Sequence, residues 1–168
     1  MTARAAERHL LHTIAPVYDQ RSRLLILGSF PSAASREQGF FYGHPRNRFW
    51  QLLAALYGCP LPASVEQKRR LLLEHQLAVW DVVAECDIRG SADSSIRNVR
   101  VNDIGSILAA APIERIALNG QTAARLYRRY CGDLRRDSVC LPSTSPANAA
   151  CSTERLCDEW RPYLCGAE

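Results

Sequence analysis

Residues 24–32 read Leu-Leu-Ile-Leu-Gly-Ser-Phe-Pro-Ser, and the fold follows from how this stretch is read. Leu24 to Gly28 is an unbroken apolar run closed by glycine, the pattern of a strand buried on both faces. Leu77 to Val82, Ile113 to Leu118 and Ser138 to Leu141 have a similar character. Helical periodicity fills the gaps between them. Arg48 to Tyr57 carries apolar residues at 49, 50, 52, 53, 56 and 57. Ser64 and Gln67 form a capping box for a helix through Glu74. Asn102 or Asp103 starts a helix through Ala110, and Gln121 to Tyr130 forms another before Gly132. Ala149 to Tyr163 reads as a last helix, broken near Pro162, and a helix is expected before Pro16. Strands alternating with helices predict parallel crossovers. The expected class is therefore α/β: a three-layer α/β/α sandwich around a central, mostly parallel four-stranded sheet. The length, 168 residues, predicts one domain over residues 1–168.

Composition narrows the function. An apolar content of 47% and a charged content of 23% are ordinary for a globular chain. No apolar run approaches the roughly 20 residues of a membrane span, and no signal-peptide core follows Met1. The expectation is a cytoplasmic monomer that does not engage a membrane. Seven cysteines stand at 59, 86, 131, 140, 151, 157 and 165, with no C-x-x-C pair. They read as buried thiols rather than metal or cluster ligands, so no metal and no cofactor is expected. Cys151, Cys157 and Cys165 read as positions along one helix. The net charge of +4 rests on arginine, with Lys68 the lone lysine. Arginine suits phosphate contacts, but this charge alone does not specify a nucleic-acid partner.

In sheets of this kind, ligands bind beyond the carboxyl ends of the strands. The Gly28–Ser32 loop can bring backbone N–H groups close to a ligand, and it also fits a plain strand-end turn. No P-loop, G-x-G-x-x-G or G-x-S-x-G pattern is present. Gly39 to Trp50 reads G-F-F-Y-G-H-P-R-N-R-F-W. Aromatic faces stack on flat ligands, guanidiniums meet phosphates, and an asparagine amide holds water or reads a base edge. His44 in this loop has a structural reading as well. Asp81 ends its strand where a carboxylate faces a pocket or caps a turn. Ser143-Thr144-Ser145-Pro146 offers hydroxyls and N–H groups to an anion, or simply caps a helix.

These segments occur in the order of a known family. Leu27–Ser32, Gly39–Trp50, Trp80–Val82, Arg89–Ile96, Asn119–Gly120 and Leu141–Asn148 carry the likeness. The chain resembles the uracil-DNA glycosylase superfamily over roughly residues 22 to 164. The nearest branch is the hypoxanthine-DNA (deoxyinosine) glycosylases, with the mismatch-specific uracil glycosylases as relatives. The segments H-P-x-N-R-F-W and P-S-T-S-P-A-N are the specific ones.

The resemblance implies extrusion of a damaged nucleotide and hydrolysis of its N-glycosidic bond, on double- or single-stranded DNA containing deaminated bases. Hypoxanthine is expected first, then uracil and xanthine. It implies Tyr42 stacking on the flipped base and Asp81 reading it. Gly28, Ser29 and Phe30 are expected to complete the base pocket. His44, Arg46, Ser143, Thr144, Ser145, Ala147 and Asn148 are expected to contact DNA. An ionised Asp81 would accept from the ring N–H and repel the carbonyl, whereas a protonated one would serve both, as Asn does in relatives. Phe30 stands where many relatives place a water-activating Asp or Asn, so Asn47 is expected to take over catalysis by positioning water. Ser143 replaces His or Asn, and Ala147 replaces a bulky wedge, leaving Asn148 or an arginine to help fill the vacated stack. A lone Lys68, far from every motif, implies a monofunctional enzyme without a Schiff base. The rival readings are a lesion-binding module with little or no catalysis, a uracil- or mismatch-specific glycosylase, and a hydrolase of nucleotides.

Overall fold

The computed structural model describes residues 5–90 and 93–166. Ser91 and Ala92 of the family-like segment 89–96 lie outside the described residues. Four strands form a parallel sheet: β2 (Leu24–Gly28), β3 (Leu77–Asp81), β6 (Arg115–Asn119) and β7 (Ser138–Leu141), ordered β3-β2-β6-β7. The sheet separates two apolar cores. Leu24, Ile26, Leu77, Val79 and Leu141 face α2 (Phe49–Tyr57), α3 (Val65–Glu74) and α6 (Thr153–Leu164). Leu25, Leu27, Ala78, Ile116 and Leu118 face α4 (Ile104–Ala110) and α5 (Gln121–Tyr130). That alternation explains the unbroken apolar runs, because a central strand buries both faces. The α/β sandwich expected from the sequence is therefore present.

Register gathers the chemistry. Gly28 pairs with Asp81, and Asn119 with Leu141, so four strand ends meet on one edge. Ser32 caps the short helix α1 (Ala33–Gln38), which the sequence reading did not anticipate, by accepting from Ser35 N. Ser64 and Asp103 cap α3 and α4 as expected.

Three expectations are corrected. The segment before Pro16 is a strand, β1 (Glu7–Leu11), not a helix. It pairs antiparallel with β4 (Val83–Arg89), which also pairs with β5 (Arg97–Val101), giving a small second sheet. Charged, half-exposed alternation in Val83–Arg89 hid these strands. The last helix begins at Thr153, capped by Ser152, and runs through Pro162 to Leu164. Proline near a helix C-terminus removes only one late N–H bond, so the helix does not break there. Only Cys157 of the three C-terminal cysteines therefore lies within the helix.

Candidate active site

The strand ends and the segment 41–47 enclose a cavity of about 280 Å³. That is near the lower end of ligand sites and suits a small flat guest. Its lining includes Gly28, Ser29, Phe30, Arg36, Tyr42, Asn47, Asp81, Asn119, Ser143, Ser145 and Ala147. A more open groove of about 640 Å³ shares Ser29, Asn119, Ser143, Ser145 and Ala147 with it and adds the start of α5 and Arg155. The smaller cavity holds Tyr42, Asn47 and Asp81, and the groove gives it a long open flank.

Tyr42 has a φ of 53°, a conformation L residues seldom adopt and one that costs free energy. Its ring stacks on Phe49, with centroids 4.0 Å apart and planes at 29°. Phe49 is locked in turn against Trp50 and Trp160. The strained backbone is thus fixed by an aromatic stack on the first turn of α2. The Tyr42 hydroxyl is buried beside Asp81 and Asn119 but has no partner in good hydrogen-bond geometry. Burial, reinforced by the Asp81 charge and opposed by Asn119, pushes its pKa far above the ordinary phenol value. The group stays protonated, a buried donor beside Asp81 and Asn119.

Asn47 Oδ1 accepts from Phe49 N at 3.0 Å and so caps α2, a role Arg48 does not fill with its side chain. With its carbonyl committed, Asn47 offers the cavity its Nδ2 donors.

Asp81 is 4% exposed. Its Oδ2 lies 2.7 Å from Nε2 of His12, a residue the sequence reading did not single out. Nδ1 of His12 accepts from Ile14 N at 3.2 Å, so the proton belongs on Nε2 and points at Asp81. The other oxygen, Oδ1, packs over Gly28, where an added β-carbon would lie only 2.4 Å away. With His12 on Oδ2, only Oδ1 of Asp81 is left uncommitted.

Thr144 also departs from expectation. It is fully buried, its hydroxyl accepts from Asn119 Nδ2, and its N–H donates to Asn119 Oδ1, each at 3.0 Å. The Thr144 side chain is thus packed against Asn119 and has no solvent exposure. Asn148 donates its amide to Ser143 O, which ties it to the loop rather than to a vacated stack. Ser143 and Ser145 are half-buried and line the cavity, with Ala147 exposed beside them. Gly120 (φ 99°) lets this loop approach, since a β-carbon there would meet Ser143 Cβ at 2.8 Å. His44 and Arg46 sit on the adjoining loop outside the cavity lining. His44 Nδ1 accepts from Arg46 N, leaving Nε2 turned to other partners.

Two arginines have roles that the sequence reading did not assign. Arg48 donates to Cys151 O at 2.6 Å and Asn148 O at 3.1 Å, clamping the Ser143–Cys151 segment to the start of α2. Arg36 lines the cavity with its guanidinium 5.9 Å from the Phe30 ring centroid, and its Nε is buried without a partner. Lys68 lies over Trp50, lines neither cavity, and is lowered in pKa by burial.

The family model described as the uracil DNA glycosylase superfamily matches residues 15–164. The chain belongs to the uracil DNA glycosylase superfamily. Among superfamily relatives, the protein of Methanosarcina acetivorans named "Hypoxanthine DNA glycosylase" is 33% identical over 146 residues, spanning 86% of this chain and 91% of that one. A protein of the same name from Methanosarcina barkeri is 31% identical over 136 residues, 79% of this chain and 85% of that one. The solution NMR structure of a candidate uracil DNA glycosylase from Methanosarcina acetivorans superposes with a TM-score of 0.78 at 31% identity, covering 90% of this chain and 94% of that one. No helix among the described residues is long and apolar enough to cross a membrane.

Proposed function

We propose that hypoxanthine is the base this enzyme removes first, with uracil and xanthine after it, and that Asn47 is its catalytic residue. By family and by the names of its relatives, the chain is a DNA glycosylase for deaminated bases. The observation that carries the proposal is the convergence of Tyr42, Asn47 and Asp81 on one cavity in which the apolar Phe30 holds the position where a water-activating Asp or Asn was expected.

The target nucleotide leaves the duplex and its base enters the cavity against Tyr42. Stacking of this kind contributes about 1–3 kcal/mol per base. Asp81 Oδ1 accepts the ring N–H. Deamination replaces a ring-nitrogen lone pair of adenine or cytosine with this N–H, so one acceptor discriminates products from parents. Asn47 Nδ2 donates to a water oxygen and holds it toward C1′. The glycosidic electron pair departs with the base, the water oxygen bonds C1′, and the proton lost by the water ends on the base. An amide suffices because an oxocarbenium-like sugar needs only a placed, weak nucleophile.

Ser143, Ser145, Ala147, Asn148, His44 and Arg46 flank the cavity where the DNA backbone passes. Binding is by a monomer in the cytoplasm, and the reaction leaves an abasic site. The absence of Lys68 from the cavity supports monofunctional chemistry, and borohydride trapping of a protein–DNA adduct would refute it.

The decisive assay is base release, read by alkaline strand cleavage, from oligonucleotides carrying hypoxanthine, uracil or xanthine opposite each base. An Asn47→Ala protein as active as the wild type removes the catalytic assignment. Phe30 favours a second reading, a lesion-binding module. Tight binding to inosine DNA without base release would select it.

A further inference from the structure

We infer that His12 is a positioning residue that sets base specificity by taking Asp81 Oδ2 out of play, leaving Oδ1 as the single acceptor that meets the base. The inference rests on the reading of Asp81 as the base-reading group. It is carried by a chain of directed contacts. Both side chains are nearly sealed, at 1% and 5% exposure, and lie 2.7 Å apart. The Ile14 N–H fixes the ring tautomer, so Nε2 donates. His12 N donates to Ala84 O at 2.7 Å, Trp80 Nε1 donates to Ile14 O, and Val17 bridges Val79. The segment 12–17 is thereby bound to β4 at His12 and to β3, the strand that ends in Asp81, at Ile14 and Val17. Phe30, Phe41 and Trp80 surround the ring with centroids at 6.0–6.4 Å. The imidazole has one orientation and one use.

A side-chain amide at position 81 presents a donor and an acceptor to a base edge. Asp81 held by His12 presents one acceptor only. The site then selects any base with an N–H at that ring position and refuses one with a lone pair or a methyl group there. The adjacent carbonyl is left to other donors of the cavity. His12 never touches the base and acts only through the carboxylate.

The test is a double-mutant cycle between His12→Phe and Asp81→Ala, measuring kcat/KM on hypoxanthine and on 1-methylhypoxanthine in DNA, with thermal melting for each protein. His12→Phe should lower kcat/KM for hypoxanthine by about 10- to 150-fold, the range for losing a hydrogen bond to a charged group. The preference for hypoxanthine over its 1-methyl form should collapse with it. His12→Gln, which keeps a donor at that reach, should recover the preference to within a few-fold, and His12→Asn, which is too short, should not. In the Asp81→Ala background His12→Phe should change the rate by less than about threefold. A full loss in that background overturns the inference, as does a folded His12→Phe protein that keeps rate and preference. If His12→Phe does not fold, the His12→Gln and His12→Asn pair decides, and equal preference in the two overturns it. If Asp81→Ala alone keeps the preference, the base-reading assignment of Asp81 fails, an outcome distinct from the failure of His12.

Discussion

Substituting alanine at Gly28 puts the geometry of the base-reading carboxylate under direct test. The new β-carbon would lie 2.4 Å from Asp81 Oδ1 and 3.2 Å from Tyr42 Oη. Ordinary contact begins at 3.4 Å, so the carboxylate must yield by the 1.0 Å between these values. It has little room to do so, because its other oxygen is 2.7 Å from a buried imidazole. Gly28 lies in β2 outside the left-handed region, so the backbone accepts alanine and the clash alone is measured. Overpacking of this kind costs about 1–3 kcal/mol. At about 2–4 °C per kcal/mol for a chain of this size, the melting temperature should fall by about 2–12 °C. A misplacement near 1 Å in a reacting site costs on the order of 100-fold in rate. Gly28→Ala should therefore stay folded and lose about two orders of magnitude in kcat/KM for hypoxanthine. Gly132→Ala, where a β-carbon meets nothing within 4 Å, is the matched control. A folded Gly28→Ala protein that releases hypoxanthine at the wild-type rate refutes the placement of Asp81 Oδ1 at the base.

Asn47→Asp keeps an acceptor for Phe49 N, and hence the α2 cap, but removes the Nδ2 donors. Melting should hold within about 1 kcal/mol while base release falls sharply, whereas Asn47→Ala should lose both the cap and the activity. Thr144→Val strands the Asn119 amide and should cost about 1–3 kcal/mol in denaturant melts. The slope of log DNA affinity against log salt should not change, because Thr144 meets no phosphate. Arg48→Gln removes two charge-assisted bonds to carbonyls of the 148–151 segment, each worth about 1.5–3 kcal/mol. It should raise KM through a loosened loop, read by steady-state kinetics beside a melt. Burial pushes Cys131 up to about 11 and also raises Tyr42, Tyr57, Tyr127 and Cys140. The folded state thus holds protons that the unfolded chain releases from about pH 9 upward. Stability is complete below that pH and should fall through pH 9–11 in melts at graded pH.

The sheet was legible because its strands are apolar on both faces and end in glycine, tryptophan-aspartate or proline, signals that survive without tertiary context. The capping residues Ser64 and Asp103 were legible for the same local reason. The second sheet was not. Glu85, Asp87 and Arg89 alternate with apolar residues over a half-exposed strand, and β1 is five residues of mostly exposed side chains. Among site residues, Asn47, Tyr42 and Asp81 could be placed at the cavity because each lies in a motif at a strand end or in the adjoining loop. His12 could not be placed there, because long-range pairing, of β1 with β4 and of Val17 with Val79, carries it across 69 residues to Asp81. Thr144 was misread because a hydroxyl before a helix looks the same whether it faces phosphate or a buried amide, and only Asn119 decides between them.

The groups proposed to read and process the base share a construction. Asn47 gives one amide atom to the α2 cap and the other to the cavity. Asp81 gives one oxygen to His12 and keeps one for the ligand. Tyr42 gives its ring to Phe49 in a strained backbone and keeps an unpartnered hydroxyl. Each side chain is thereby fixed before substrate arrives, so its remaining atom needs no reorganisation when charge develops, the condition under which fixed dipoles act most strongly. The same construction means that truncation to alanine at any of the three positions removes a structural bond and a ligand contact together. Substitutions that split the two atoms, such as Asn47→Asp at the cap and His12→Gln behind the carboxylate, are therefore the ones whose kinetics report on chemistry rather than on folding.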